Sequence, residues 1–270
     1  MAKPTHLEPS ELGTKEYWDN LYTSELSNHA HNPADTGTVW FEDSDAETKV
    51  IDFLSDNASA LRLSQRETSF LDLGTGNGSL LFQLRDAGWR GRMLGVDYSR
   101  QSVEFARRIA EARASEKEEE LEEEEEDGGG DEQPITFAEH DILRTPATTL
   151  LSGAQSSGWD VVLDKGTFDA ISLSSDTDPT SGRRIAESYR VKIAPLLREG
   201  GLFLVTSCNW TETELLGWFD GAAKDGEGEE MEGWRFEQVG RVEYPSFSFG
   251  GVKGQTISSL CFRKVRNSGS

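Results

Sequence analysis

The stretch FLDLGTGNGSLLFQL, residues 70–84, begins as an apolar run, breaks into glycine at 74, 76 and 78, and resumes with Leu80, Leu81 and Leu84 at helical spacing. A short apolar run closed by glycine reads as a buried strand, and the leucine spacing reads as a helix. The pattern predicts a strand over 68–74 and a helix over about 78–87. A turn without side chains between them has two readings. The chain reverses tightly there, or a ligand is pressed against bare backbone. The helix that follows offers unpaired N–H groups at its first turn, suited to a carboxylate or a phosphate.

The same rhythm continues outward. Strands are predicted over 91–99, 134–143, 158–166 and 202–208. Helices are predicted over 100–114, with Val103, Ala106, Ile109 and Ala110 on one face and Ser99 or Ser102 as cap, and over 182–201, where Gly200–Gly201 would stop it. Strands alternating with helices imply an α/β fold of Rossmann-like type, with a parallel sheet covered on both faces. Two strand-like segments, 234–245 and 255–265, are joined only by SFSFGGVKG. They predict a C-terminal antiparallel hairpin at the sheet edge, making seven strands in all. This core spans 63–266. Residues 1–62 form an aromatic-rich N-terminal cap containing Tyr17, Trp18, Tyr22, Trp40 and Phe41.

Composition bounds the rest. The chain has 270 residues, 35% apolar and with seven Trp, enough to build a sizeable core. No run approaches the roughly 18 apolar residues of a membrane span, and no secretory h-region is visible at the start. Cys208 and Cys261 read as free thiols in a reducing compartment, so the expected location is the cytoplasm, with the nucleus also open. No His or Cys spacing suggests a metal. The net charge of −22 argues against a nucleic-acid partner. Half of it sits in 116–132, which holds twelve acids and one lysine. That segment reads as an extension of the preceding helix that frays into a disordered insertion near 128–130. It is either solvated filler or a docking arm for a basic partner. Residues 220–233 read as a surface loop.

In an open parallel sheet, ligands sit at the carboxyl ends of the strands. Gly74, Thr75, Gly76 and Gly78 end the first strand and Asp97 the second, followed by Tyr98. A carboxylate at Asp97 accepts two ribose hydroxyls. Asp141 is placed to accept from an adenine amino group, with Ile142 against the ring. These residues indicate an adenosine-containing ligand and leave NAD and S-adenosylmethionine both open. The spacing G-x-G-x-G, in place of G-x-G-x-x-G, favours S-adenosylmethionine. So does Asp72, which suits a ligand ammonium and not a pyrophosphate.

With these residues assembled, the chain resembles the class I, seven-strand methyltransferases. LGTKEYWDNLY (12–22), DTGTVWF (35–41), LDKGTFDAISL (163–173), TSCNWTETELL (206–216) and FSFGG (247–251) resemble, more narrowly, the elongation factor 1-alpha lysine methyltransferase family in its fungal form. The acidic run at 116–132 falls outside the family pattern. The resemblance implies S-adenosylmethionine-dependent mono- and dimethylation of a lysine on that translation factor, by an enzyme expected to be a monomer without membrane contact. It implies that Asp164, ending the fourth strand, orients the acceptor amine; capping a helix or pairing with Lys165 is the other reading. Lys165 itself reads as an ion-pair partner. Phe168 is a candidate wall of the lysine channel. Asn209 and Trp210 lie beyond the fifth strand as candidate substrate contacts, and Asn209 equally reads as a turn residue. Trp40 and Phe41 would close over cofactor or substrate, or simply cover the sheet. Phe247 and Phe249 are expected to touch the protein substrate. Two competing readings keep the same fold: a module that binds S-adenosylmethionine without turnover, and a small-molecule methyltransferase.

Overall fold

The computed structural model describes residues 4–123, 133–220, 233–245, 247–249, 252–254 and 256–267. The chain opens with helices α1 (Lys15–His31), α2 (Ala46–Asp56) and α3 (Ala58–Leu61). Strand β1 (Phe70–Leu73), helix α4 (Ser79–Asp86), strand β2 (Met93–Asp97), helix α5 (Arg100–Glu123) and strand β3 (Ile135–Glu139) follow. Next come β4 (Trp159–Lys165), α6 (Thr167–Ser172), α7 (Tyr189–Ile193), β5 (Leu197–Ser207) and α8 (Glu212–Phe219). The chain closes with β6 (Trp234–Val242), β7 (Phe247–Phe249), β8 (Val252–Gly254) and β9 (Ser258–Arg266).

Seven strands form one sheet in the order β3-β2-β1-β4-β5-β9-β6, while β7 and β8 pair separately. Pairing is parallel from β3 to β5, and β9 is antiparallel to both β5 and β6. The expected seven strands and antiparallel C-terminal pair are present. The last strand lies inside the sheet, and β6 takes the edge.

Alternate residues along each central strand serve opposite layers. Phe70, Val161, Leu163, Leu202, Leu204 and Cys261 pack with Val50, Leu54, Leu81 and Phe105 on one face. Leu71, Val162, Phe203, Val205, Leu260 and Phe262 pack with Phe168, Tyr189, Leu215 and Phe219 on the other. Burial on both faces explains why the strands read as continuous apolar runs. Helix starts are set locally. Thr14 accepts from Tyr17 N at 3.3 Å at the head of α1. Thr211 and Glu214 form a reciprocal capping box on α8.

The helix expected over 182–201 is not continuous. It is a chain of short turns around α7, and β5 already begins at Leu197. Pro195 lacks the N–H that an α ladder needs. The carbonyls of Ala194 and Leu197, beyond that break, accept from Lys264 Nζ at 2.8 and 2.7 Å. Gly200–Gly201 is no helix stop. It lies where the β4–β5 register jumps from Trp159–Leu197 to Val161–Leu202, and Gly200 has φ +74°. The acidic run is helical through Glu123. Its continuation at 124–132 and the loop at 221–232 lie outside the described residues.

Lys264 is buried, and its ammonium lies 4.7 Å from the Trp234 ring centre. Lys264→Met keeps the stem but removes the ammonium donor from two buried carbonyls, of which Ala194 O keeps the Leu197 N–H; a lost buried partner costs about 1–3 kcal/mol. The thermal midpoint is expected to fall by several degrees, while affinity for ligand at the distant end of the sheet stays within twofold (about the scatter of the measurement).

Candidate active site

The carboxyl ends of the parallel strands meet the N-terminal segment around a cavity of about 380 Å³. The glycine turn, Asp97, Tyr98, Asp141, Ile142 and the acceptor-side residue Asn209 all line it. Gly74, Gly76 and Gly78 have φ of +64°, +59° and +81°, where a side chain is strained. A Cβ on Gly74 would come within 2.0 Å of Thr167 Oγ1, and one on Gly76 within 2.7 Å of the Tyr22 hydroxyl. Gly78 is different. It does not reach the cavity, and a Cβ there would meet the Phe137 ring at 2.8 Å. The third glycine therefore serves helix packing, a correction to its expected ligand role.

The turn is tied to the next strand. Thr75 N donates to Val96 O at 3.0 Å, and Gly76 N to Asp97 Oδ2 at 3.3 Å. Ser99 N donates to Asp97 Oδ1 at 2.9 Å. Burial lifts the Asp97 carboxyl to about 6, against the pull of these donors. Each oxygen keeps a lone pair for a hydroxyl. Asp72 lies beneath the turn and does not line the cavity. Burial pushes it to about 7, with Thr75 and Lys165 drawing it down. Its placement gives it no direct contact with a ligand ammonium. Asp141 Oδ1 accepts from Leu143 N and Arg144 N at 2.9 and 3.1 Å, so one oxygen is spent on its own turn. Tyr98 and Ile142 provide apolar surface beside it, and Lys15 Nζ lies 5.4 Å from the Tyr98 ring centre.

At the other end, Trp40, Phe41, Lys165, Asp169, Cys208 and Asn209 line the cavity. Lys165 Nζ lies 3.3 Å from Glu47 Oε1 and donates to Trp40 O at 3.2 Å. Asp169 is buried and accepts from Ser207 Oγ and from Cys208 N. Burial raises its carboxyl, the Ser207 and Cys208 donors opposing. Burial and the neighbouring Asp169 push the Cys208 thiol to about 12, which keeps it protonated.

Asp164 does not face the cavity. It is 1% exposed and accepts from Tyr189 Oη at 2.6 Å, Thr167 N at 2.9 Å and Phe168 N at 3.1 Å. It holds the first turn of α6 and is not an amine-orienting group. Phe168 and Trp210 are likewise corrected. Both are buried in the aromatic layer with Trp218 and Phe219, because their positions on α6 and before α8 face the sheet. The side chains of Phe247 and Phe249 lie outside the described residues. Among the described residues no cluster of His, Cys, Asp or Glu is arranged to hold a metal. Sequence reasoning missed Asp169, which sits within LDKGTFDAISL five residues after Asp164, and also Glu47 and Tyr189. Glu47 had a readable signal, since it shares the spacing of Val50, Ile51 and Leu54 on the apolar face of α2. Tyr189 had none.

The residues present fit S-adenosylmethionine. A desolvated carboxylate at the β2 end, apolar walls beside Asp141, and a turn whose backbone lies bare match the hydroxyls, the base and the amino-acid portion of that molecule.

Asp97→Ala is expected to weaken S-adenosylmethionine binding roughly thirtyfold or more, measured by calorimetry; unchanged affinity would remove Asp97 from the ribose. Asp164 gives a pH signature. Its buried carboxyl titrates near 7, and in the unfolded chain near 3.9. Between those values the fold holds a proton that the unfolded chain has released, so stability falls as pH rises through 7. Moving from pH 8 to pH 6 should add about 1.4 kcal/mol from this group. The thermal midpoint should rise by a few degrees, and Asp164→Asn should remove this group's share of the rise, leaving that of Asp72 and Asp97.

A family model described as a methyltransferase domain matches residues 64–244. The chain is 42% identical over 266 residues to Protein-lysine N-methyltransferase EFM4 of Saccharomyces cerevisiae, covering 98% of this chain and 99% of that protein. It is 36% identical to Protein-lysine N-methyltransferase efm4 of Schizosaccharomyces pombe, covering 95% of each. It is 32% identical to EEF1A lysine methyltransferase 2 of Homo sapiens, covering 95% of this chain and 88% of that protein. The glycine turn, the β2 carboxylate and near-full-length similarity thus agree, and the chain belongs to the S-adenosylmethionine-dependent protein-lysine N-methyltransferases.

Proposed function

We propose that this enzyme methylates a lysine of translation elongation factor 1-alpha, giving mono- and dimethyl-lysine. The observation that carries the acceptor's identity is the similarity, along almost the whole chain, to proteins named for that substrate. The reading includes a monomer working in the cytoplasm, with the nucleus also open to it. No helix among the described residues is long and apolar enough to cross a membrane.

When bound, S-adenosylmethionine supplies a methyl group on a sulfonium, a very good leaving group. The residues of the chain must align the incoming amine, exclude water and manage one proton. A free lysine amine has a pKa of about 10.4, so its reactive neutral form has to be favoured. Apolar walls at Trp40 and Phe41 disfavour the ammonium by desolvation. Asp169 is the carboxylate at this end of the cavity, fixed by Ser207 and Cys208 N, with lone pairs left to orient an amine. Asn209 beside it adds a carbonyl acceptor and an amide donor.

The test is incubation with methyl-labelled S-adenosylmethionine and purified elongation factor 1-alpha, with mass spectrometry of the product. Label on one lysine of the factor is expected. Cofactor binding without transfer would leave a binding module, and label only on small molecules would leave a metabolite methyltransferase. Asp169→Asn should lower kcat at least about tenfold with cofactor affinity within about twofold.

A further inference from the structure

Around Lys165 and Gly166, contacts converge on the Trp40–Phe41 turn. Lys165 Nζ donates to the backbone carbonyl of Trp40 at 3.2 Å, and its charge lies 5.9 Å from the centre of the Phe41 ring. Gly166 lies under that ring. A Cβ there would approach Phe41 Cζ at 3.2 Å. Lys165 is in turn fixed by Glu47, which is 5% exposed and also accepts from Ser79 Oγ at 2.6 Å and from Gln83. The N-terminal segment, α4 and the end of β4 thus meet at one buried carboxylate.

The segment held there is costly in its own right. Phe41 and Asp45 adopt φ of +67° and +53°, a left-handed conformation that non-glycine residues avoid. The indole N–H of Trp40 is buried and without a hydrogen-bond partner. The same Trp40 and Phe41 line the cavity beside Gly74–Asn77 and Asp97.

We propose that Lys165, seated on Glu47, is a positioning residue that latches the Trp40–Phe41 turn down as a lid over the cofactor. The inference rests on the S-adenosylmethionine reading of the cavity. It assigns Lys165–Gly166 the holding of that turn, with no contact to the reacting atoms. The Trp40–Phe41 turn lines the cavity at the acceptor end and does not distinguish a methylated from a demethylated sulfur. The latch therefore acts equally on both forms of the cofactor.

Calorimetry on the full-length protein with S-adenosylmethionine and with S-adenosylhomocysteine tests this, using Lys165→Met, Lys165→Arg, Phe41→Ala and the double variant Lys165→Met/Phe41→Ala. Lys165→Met and Phe41→Ala should each raise both Kd values about tenfold, and the double variant should be no weaker than the weaker single. Lys165→Arg, which still donates to Trp40 O and Glu47, should stay within about threefold of the wild type. A residue that only stabilises the fold would lower the thermal midpoint and leave Kd at low temperature unchanged. Unchanged Kd in Lys165→Met, or effects that multiply in the double variant, would overturn the latch. If Lys165→Met does not fold, Phe41→Ala decides alone, with unchanged affinity again overturning it. Failure of the wild type to bind either ligand would instead sink the cofactor assignment, so the two failures are distinct.

Discussion

Asp164 is the hinge pin of the site. A carboxylate at 1% exposure is tolerated only because Tyr189 Oη and the first N–H groups of α6 all point at it. That cluster fixes how the chain leaves β4. Lys165 and Gly166 turn toward the N-terminal segment, and Asp169 lands one helical turn later beside Ser207 and Cys208. The Tyr189 hydroxyl comes from α7, so the second helical layer braces the catalytic end of the sheet. Asp72 and Asp97 repeat the theme on neighbouring strands, each buried and raised, each partly offset by local donors. Of the three, only Asp97 lines the cavity; Asp72 and Asp164 brace the turns behind it.

The fold was readable because its signals are local. The glycine turn, the two-faced apolar strands and Asp97 are each defined within a few residues. Strand order was only partly readable, since nothing in 258–266 says that this strand inserts beside β5 while β6 takes the edge. The broken helix before β5 shows tertiary structure overriding periodicity. The 182–201 pattern is helical, but Pro195 and the reach of Lys264 from β9 end it early. Aromatics at strand ends were the least legible. Phe168, Trp210 and Trp40 look alike in sequence, yet only Trp40 faces the cavity. The Lys165–Glu47 pair joins residues more than a hundred positions apart and leaves no trace in spacing.

The electrostatics of the cavity depend on that pairing. Lys165 is the cation at the acceptor end, and a free ammonium there would oppose both a sulfonium and an incoming lysine. Held against the carboxylate of Glu47, it is neutralised locally and serves as a donor to backbone. Asp169, a few residues on, keeps its carboxylate for the acceptor side. Two adjacent charges thus receive opposite assignments because one is turned toward the lid and the other toward β5.

Placing β9 between β5 and β6 has a consequence for biogenesis. Until residue 266 has cleared the ribosome, the long β5 strand has an open edge with unpaired N–H and C=O groups, and β6 has nothing to pair with. The parallel half can collapse first during synthesis, but the sheet is sealed only once β9 has emerged to pair with both neighbours. A nascent chain stalled short of its final strand would present a sticky ribbon to chaperones and to other copies of itself.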